Sequence, residues 1–81
     1  MELSILTSSA KTIGAKQTSK AIARDEVELV FVANNSDDRI ALPILELCEV
    51  HGVAVDRNHS MEELGKAANI KVKAAAVGVL K

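Results

Sequence analysis

The strongest constraint on this chain is an alternation between short β-branched runs and stretches with helical spacing. Glu28 to Ala33 (ELVFVA), Val53-Ala54-Val55 and Ala74 to Leu80 (AAAVGVL) read as strands buried on both faces. Between and before them lie amphipathic segments. From Ala15 to Arg24, Ala15, Thr18, Ala21 and Ile22 fall on one side, and Lys16, Gln17, Lys20 and Arg24 on the other. Ile40, Ile44, Leu47 and Cys48 mark a second helix ending near His51. Pro43 lacks an N–H and places the regular start of that helix near residues 41–43, while Gly52 is positioned to stop it. Ser60 and Glu63 have capping-box spacing and open a third helix through about Ala68. Asn69, which tolerates left-handed backbone, follows it. The polar turn Asn34-Asn35-Ser36-Asp37-Asp38 supplies capping side chains. Lys11-Thr12-Ile13 is a short extended piece leading into Gly14, and Glu2 to Ser9 reads as a short opening helix.

Strands separated by helices imply βαβ units and a sheet covered on both faces. The expected fold is a single-domain three-layer α/β/α sandwich with a four-stranded mixed central sheet, spanning residues 1–81. Its expected core is Ile13, Ile22, Val27, Leu29, Val30, Val32, Ile44, Leu47, Cys48, Val53, Val55, Leu64, Ala75, Val77 and Val79.

Composition removes several functional classes. Phe31 is the one aromatic residue, with no Trp and no Tyr. That argues against single-strand binders that stack bases on rings, and against an aromatic-lined ligand pocket. One cysteine, Cys48, excludes an internal disulfide and a cysteine-based zinc site, and fits a reducing compartment. No apolar run approaches the roughly 18 residues that span a bilayer, and the first residues lack the order of a secretory signal. The expectation is a cytoplasmic monomer with no membrane partner.

The net charge of −1 conceals a segregated distribution. Residues 3–24 carry Lys11, Lys16, Lys20 and Arg24 and no acid; residues 64–81 carry Lys66, Lys71, Lys73 and Lys81 and no acid. Residues 25–63 hold ten acids against Arg39 and Arg57, a net of −8. If the ends meet in space, they make one positive face able to orient a polyanion.

Enzymatic chemistry finds little support. Gly14-Ala15-Lys16-Gln17-Thr18 lacks the second glycine and the Gly-Lys-Ser/Thr order of a P-loop. His51 and His59, on either side of a strand, do not have metal-ligand spacing. His51 is more simply a cation-capable residue at a helix C-terminus. Cys48 sits on the apolar stripe and reads as inert core. Asp37-Asp38 and Glu62-Glu63 look like helix-start acids. No catalytic constellation, metal site or cofactor motif emerges.

The first amphipathic helix is more informative. Lys16, Lys20 and Arg24 recur every four residues on one face, and no carboxylate neutralises them. Gln17 offers an amide that donates and accepts at a base edge. Lys16 and Gln17 fall in the first turn, where free N–H groups favour an anion.

Ile13-Gly14-Ala15-Lys16-Gln17-Thr18-Ser19-Lys20 resembles the RNA-binding signature of the L7Ae family of kink-turn-binding ribosomal proteins. The small bacterial ribosome-associated branch is the most similar. Three further pieces follow in the family's order: Val32-Ala33-Asn34-Asn35-Ser36-Asp37, the helix Ser60 to Ala67, and Ile70 to Val77. The resemblance implies a non-enzymatic RNA-binding protein that recognises a kink-turn, an RNA helix bent at a bulge beside tandem sheared G·A pairs. Its RNA would be ribosomal or regulatory. By position, Gly14 would admit the RNA backbone, Lys16 and Gln17 would read purine edges, and Lys20 would contact guanine or phosphate. Ile70, Lys71, Val72 and Lys73 would pack on the bulged nucleotides, with Ala74 and Ala75 allowing close approach. The chain departs from the bacterial pattern at Lys71 and Lys73, where Glu and Gly are more usual; such lysines add affinity without reading sequence. Archaeal and eukaryotic members of the family it resembles usually carry Asn-Glu in place of Lys16-Gln17. The alternative is a protein-interaction module using the acidic middle segment.

Overall fold

The computed structural model describes residues 10–81, so the opening helix expected over Glu2 to Ser9 lies outside the described residues. Strand β1 (Lys11–Ile13) leads into helix α1 (Ala15–Ala23), then β2 (Val27–Val32) and α2 (Asp38–His51). Strand β3 (Ala54–Asp56), helix α3 (Met61–Ala67) and β4 (Ala76–Leu80) complete the order. The four strands form one sheet in the order β1-β4-β2-β3. β4 is antiparallel to both β1 and β2, and β3 runs parallel to β2. The sheet is therefore mixed, as expected, and its last strand in sequence sits inside it.

Side chains alternate across β2 and β4 to build two cores. Leu29, Phe31, Val77 and Val79 pack with Leu64 and Ala68 of the α3 segment. Val30, Val32 and Ala76 pack on the other face with Ile22 of α1 and with Ala41, Ile44 and Cys48 of α2. Between Val27 and Leu29 the register against β4 slips by one residue. This bulge turns Val27 to the α1–α2 face, where strict alternation would have sent it the other way. Phe31 is completely buried and is the largest buried side chain, although it is absent from the expected core. It lies on an interior strand covered by a helix, and there volume matters more than β-branching. Ile13, Leu47, Val53, Val55 and Ala75, expected inside, are only partly buried. Ile13 and Val55 lie on β1 and β3, which among the described residues are the edge strands, with a neighbour on one side alone.

Local signals fix most element ends. Gly52 takes the left-handed conformation (φ 67°) and Asn69 does so after α3 (φ 62°), as their residue types predict. Ser60 and Glu63 form the expected capping box. The start of α2 corrects the expectation: the helix begins at Asp38, not near residues 41–43, and Pro43 lies inside it. Asp37 is its N-cap, its Oδ1 accepting from the Arg39 N–H at 2.9 Å. Pro43 is exposed, and its ring nitrogen has no N–H to donate to the Arg39 carbonyl. Asp37 capping outweighs the proline signal. β3 runs one residue later than Val53–Val55, and β4 starts at Ala76 rather than Ala74. Ala74 is instead tied to α3, its N–H donating to the Met61 carbonyl at 3.2 Å.

Candidate nucleic-acid interface

α1 begins without a side-chain cap. Its N-cap is Gly14, at φ 94° and ψ 157°, and the first turn holds no acid. A Cβ at Gly14 would meet nothing within 4 Å, so glycine is needed for its backbone angle and not for space. The Gly14 N–H donates to the Ala76 carbonyl at 2.8 Å, and the Gly14 carbonyl accepts from the Thr18 N–H at 3.1 Å. The helix is thus anchored to the start of β4, while no side chain among the described residues caps it, a setting that attracts an anion. Thr18, Ala21 and Ile22 face inward. Buried Thr18 shares a hydroxyl–hydroxyl hydrogen bond with Thr12 at 3.0 Å. Lys16, Gln17 and Lys20 are exposed, and Arg24 is the C-cap of α1 rather than a helical residue. Among the described residues, Lys16, Lys20 and Arg24 have no ion-pair partner. Gln17, Lys20 and Arg24 line a shallow concavity of about 230 Å³ together with Thr12, Glu26 and Leu80.

The other predicted segment, Ile70 to Ala74, lies on α3. The Ile70 N–H donates to the Gly65 carbonyl at 3.0 Å, and Ala74 is held by Met61 as above. A Cβ on Gly65 would run into the Val72 carbonyl oxygen, so this helical glycine permits the loop's close approach. Ile70, Lys71, Val72 and Lys73 form a concavity of about 610 Å³ with Glu62 and Lys66. Val72 is 70% exposed, an aliphatic side chain offered to solvent at this rim. Lys73 Nζ lies 3.4 Å from Glu62 Oε1. Glu62 Oε2 accepts from Asn35 Nδ2 at 3.4 Å, and Asn35 Oδ1 accepts from the Met61 N–H at 2.9 Å. Backbone and Ser60 hydrogen bonds first, then Lys73 and Asn35, hold the Glu62 carboxyl below its ordinary value of 4.5.

The structure brings the two basic ends of the chain together, through β1–β4 pairing and the Gly14–Ala76 hydrogen bond. It places seven of the expected residues around two separate concavities, while Gly14, Lys16 and Ala74 line neither. Gln17, Lys20 and Arg24 line the first, and Ile70 to Lys73 the second. Gly14 adjoins the exit of the 70–75 loop, and within that loop Ala74 is buried (2% exposed) against the core with Leu64 and Ala68 rather than presented at the surface. Sequence reasoning missed Asn35, Glu62 and Gly65. Gly65 carried a signal, because glycine inside a helix costs about 1 kcal/mol relative to alanine and needs a reason. The Asn35–Glu62 and Glu62–Lys73 contacts join residues far apart in sequence and carried none. Cys48 is buried as expected, and burial pushes its thiol up from the ordinary value. No helix among the described residues is long and apolar enough to cross a membrane.

Residues 6–81 match the model of the ribosomal protein L7Ae/L30e/S12e/Gadd45 family. The chain belongs to this family. Among L7Ae relatives, an "RNA-binding protein" of Bacillus pumilus is 41% identical over 68 residues, covering 84% of this chain and 83% of that one. The RNA-binding protein YbxF of Geobacillus stearothermophilus is 39% identical over 69 residues, covering 85% and 84%. The large ribosomal subunit protein eL8 of Halobacterium salinarum is 37% identical over 68 residues, covering 83% of this chain and 57% of its own length. A solved structure titled "Giardia lamblia 15.5kD RNA binding protein" superposes with a TM-score of 0.88 at 27% identity, covering 98% of this chain and 70% of that one. The L7Ae family is one of non-enzymatic, ribosomal-type RNA-binding proteins.

Proposed function

We propose that this chain is a non-enzymatic RNA-binding protein that recognises kink-turn RNA, ribosomal or regulatory, and acts as a cytoplasmic monomer. The observation that carries this reading is the bare start of α1: a glycine cap, no first-turn acid, and Lys16 and Gln17 exposed beside it. A regular A-form major groove is too narrow for side chains to read. A kink opens it enough for a helix start to enter, which suits a site presenting backbone N–H groups at an exposed terminus. In this reading Gly14 lets the RNA backbone approach, and Lys16 and Gln17 address the purine edges of the G·A pairs. Lys20 and Arg24 extend the contact along α1. Ile70, Lys71, Val72 and Lys73 cover the bulged nucleotides from the α3 side, an aliphatic surface doing what rings do in stacking platforms. Buried Ala74 contributes by keeping the loop low.

A gel-shift titration tests this with a kink-turn hairpin and a control whose G·A pairs are replaced by Watson–Crick pairs. The expected result is tighter binding to the kink-turn, and a Gln17→Ala variant that loses part of that preference. Equal binding to both RNAs by the unaltered protein would sink the structure-specific claim.

A further inference from the structure

Glu62 is an acid in the wall of a concavity otherwise supplied with lysines. Its two oxygens have separate partners. Oε1 faces Lys73 Nζ at 3.4 Å, and Oε2 accepts from Asn35 Nδ2 at 3.4 Å. Asn35 is itself fixed, because its Oδ1 accepts the Met61 N–H at 2.9 Å. A chain of contacts therefore runs from the turn after β2, through the carboxylate, to the loop that leads into β4.

We propose that Glu62 is a specificity-determining residue of the RNA surface, tethering Lys73 at the rim and keeping phosphate out of the concavity. The space is thereby left for a nucleobase edge that donates hydrogen bonds. The inference rests on the reading of this chain as a kink-turn binder. Without an acid, Lys66, Lys71 and Lys73 around one hollow would hold any phosphate, adding strength without information. A carboxylate accepts hydrogen bonds and does not donate them, so it repels a phosphate oxygen and welcomes an amino or imino N–H. Discrimination by penalising the wrong occupant is a general route to specificity. Ile70 and Val72 supply the apolar wall against which a base face would lie. The pair is solvent-exposed, with 65% of the Lys73 side chain and 53% of the Glu62 side chain accessible. Exposed pairs add little to folding, so the effect of Glu62 belongs in binding rather than in stability.

The test compares the unaltered protein with Glu62→Gln, Lys73→Gln and the double variant. Each is titrated with the kink-turn hairpin and with a fully paired duplex at several salt concentrations, after thermal melts confirm folding. Glu62→Gln should bind duplex more tightly, so that kink-turn preference falls roughly two- to fivefold, the worth of one exposed ionic contact. Its duplex salt dependence should steepen by about 0.7 to 0.9 in log–log slope, one added phosphate contact. In the double variant both changes should disappear, because the freed lysine is gone. An unaltered protein that prefers the kink-turn, with a Glu62→Gln variant of unchanged preference and slope, would overturn the role of Glu62 alone. Failure of the unaltered protein to prefer the kink-turn would overturn the functional reading and this inference with it.

Discussion

Helices α1 and α3 begin against the same difficulty, N–H groups that the helix itself cannot satisfy, and they meet it in opposite ways. At α3, Ser60 Oγ accepts from the Glu63 N–H at 3.2 Å, and Glu63 Oε1 accepts from the Ser60 N–H at 3.0 Å. Asn35 Oδ1 takes the Met61 N–H from outside the helix, and Glu62 and Glu63 place negative charge at the positive end of the dipole. At α1 the cap is a glycine, the first turn is free of acid, and its exposed polar residues are Lys16 and Gln17. A capping side chain is worth about 1 kcal/mol, so the bare start gives up stability that the fold secures elsewhere. The saturated terminus serves the fold, and the unsaturated one is the terminus that the proposed function assigns to an external anion. The lysines near them differ too: Lys16 and Lys20 on α1 are unpaired among the described residues, whereas Lys73, in the loop after α3, is tethered by Glu62 of that helix.

Placing a charge at the bare terminus should break this contrast most severely. Gly14→Ala and Gly14→Asp both force a side chain onto a backbone at φ 94°, which costs roughly 1–3 kcal/mol of stability. Only the aspartate brings a negative charge to the helix start. Gly14→Asp should therefore bind the kink-turn hairpin about 10- to 100-fold more weakly than Gly14→Ala, an effect of roughly 1–3 kcal/mol. Equal affinities for the two variants would show that the α1 terminus does not receive an anion. Ser60→Ala is the reciprocal change at the saturated terminus. It should lower stability by about 1 kcal/mol, read as a fall of roughly 4–8 °C in melting temperature. RNA affinity of the folded protein should stay the same. A loss of affinity as large as that of Gly14→Asp would erase the distinction between the two helix starts.

These local features were the ones legible in the sequence. Ser60 with Glu63, Gly52 after His51, Asn69 after α3 and Gly14 before Lys16 each act within a few residues, and the structure keeps every one of them in place. Pro43 misled because its missing N–H is a local signal that the Asp37 cap overrides. The bulge that turns Val27 over, and the depth at which Phe31 is buried, depend on pairing with β4 at the far end of the chain. Gly65 meets the Val72 carbonyl only after the chain has passed Asn69 and turned back. The two concavities belong to this second kind: their walls combine residues from separate elements, and spacing along the sequence does not reveal which acid faces which lysine.

The last difference between the helix starts is their response to acid. Hydrogen bonds from the Ser60 N–H and then the Ser60 hydroxyl hold the Glu63 carboxyl below its ordinary value of 4.5. At the start of α2, the Arg39 N–H and then its guanidinium hold Asp37 below 3.8. A carboxyl whose value is lower in the folded chain than in the unfolded one stabilises the fold fully above the unfolded value. That contribution is lost as pH falls through the folded value, because the folded chain must then take up the proton it had resisted. Both carboxyls are solvent-exposed, so the effect is small and best read as local fraying. Amide hydrogen exchange between about pH 5 and pH 3 would report it, after correction for the intrinsic rate. The Leu64 amide donates to the Ser60 carbonyl and the Ala41 amide to the Asp37 carbonyl, and both should lose protection as the caps protonate. The Thr18 amide, bonded to the Gly14 carbonyl in a helix with no carboxylate at its cap, should hold its protection over the same range. Glu63→Gln should flatten the response at Leu64 and leave that at Ala41. Earlier loss at Thr18 than at Leu64 would mean that an acidic group outside the α1 cap governs the bare terminus.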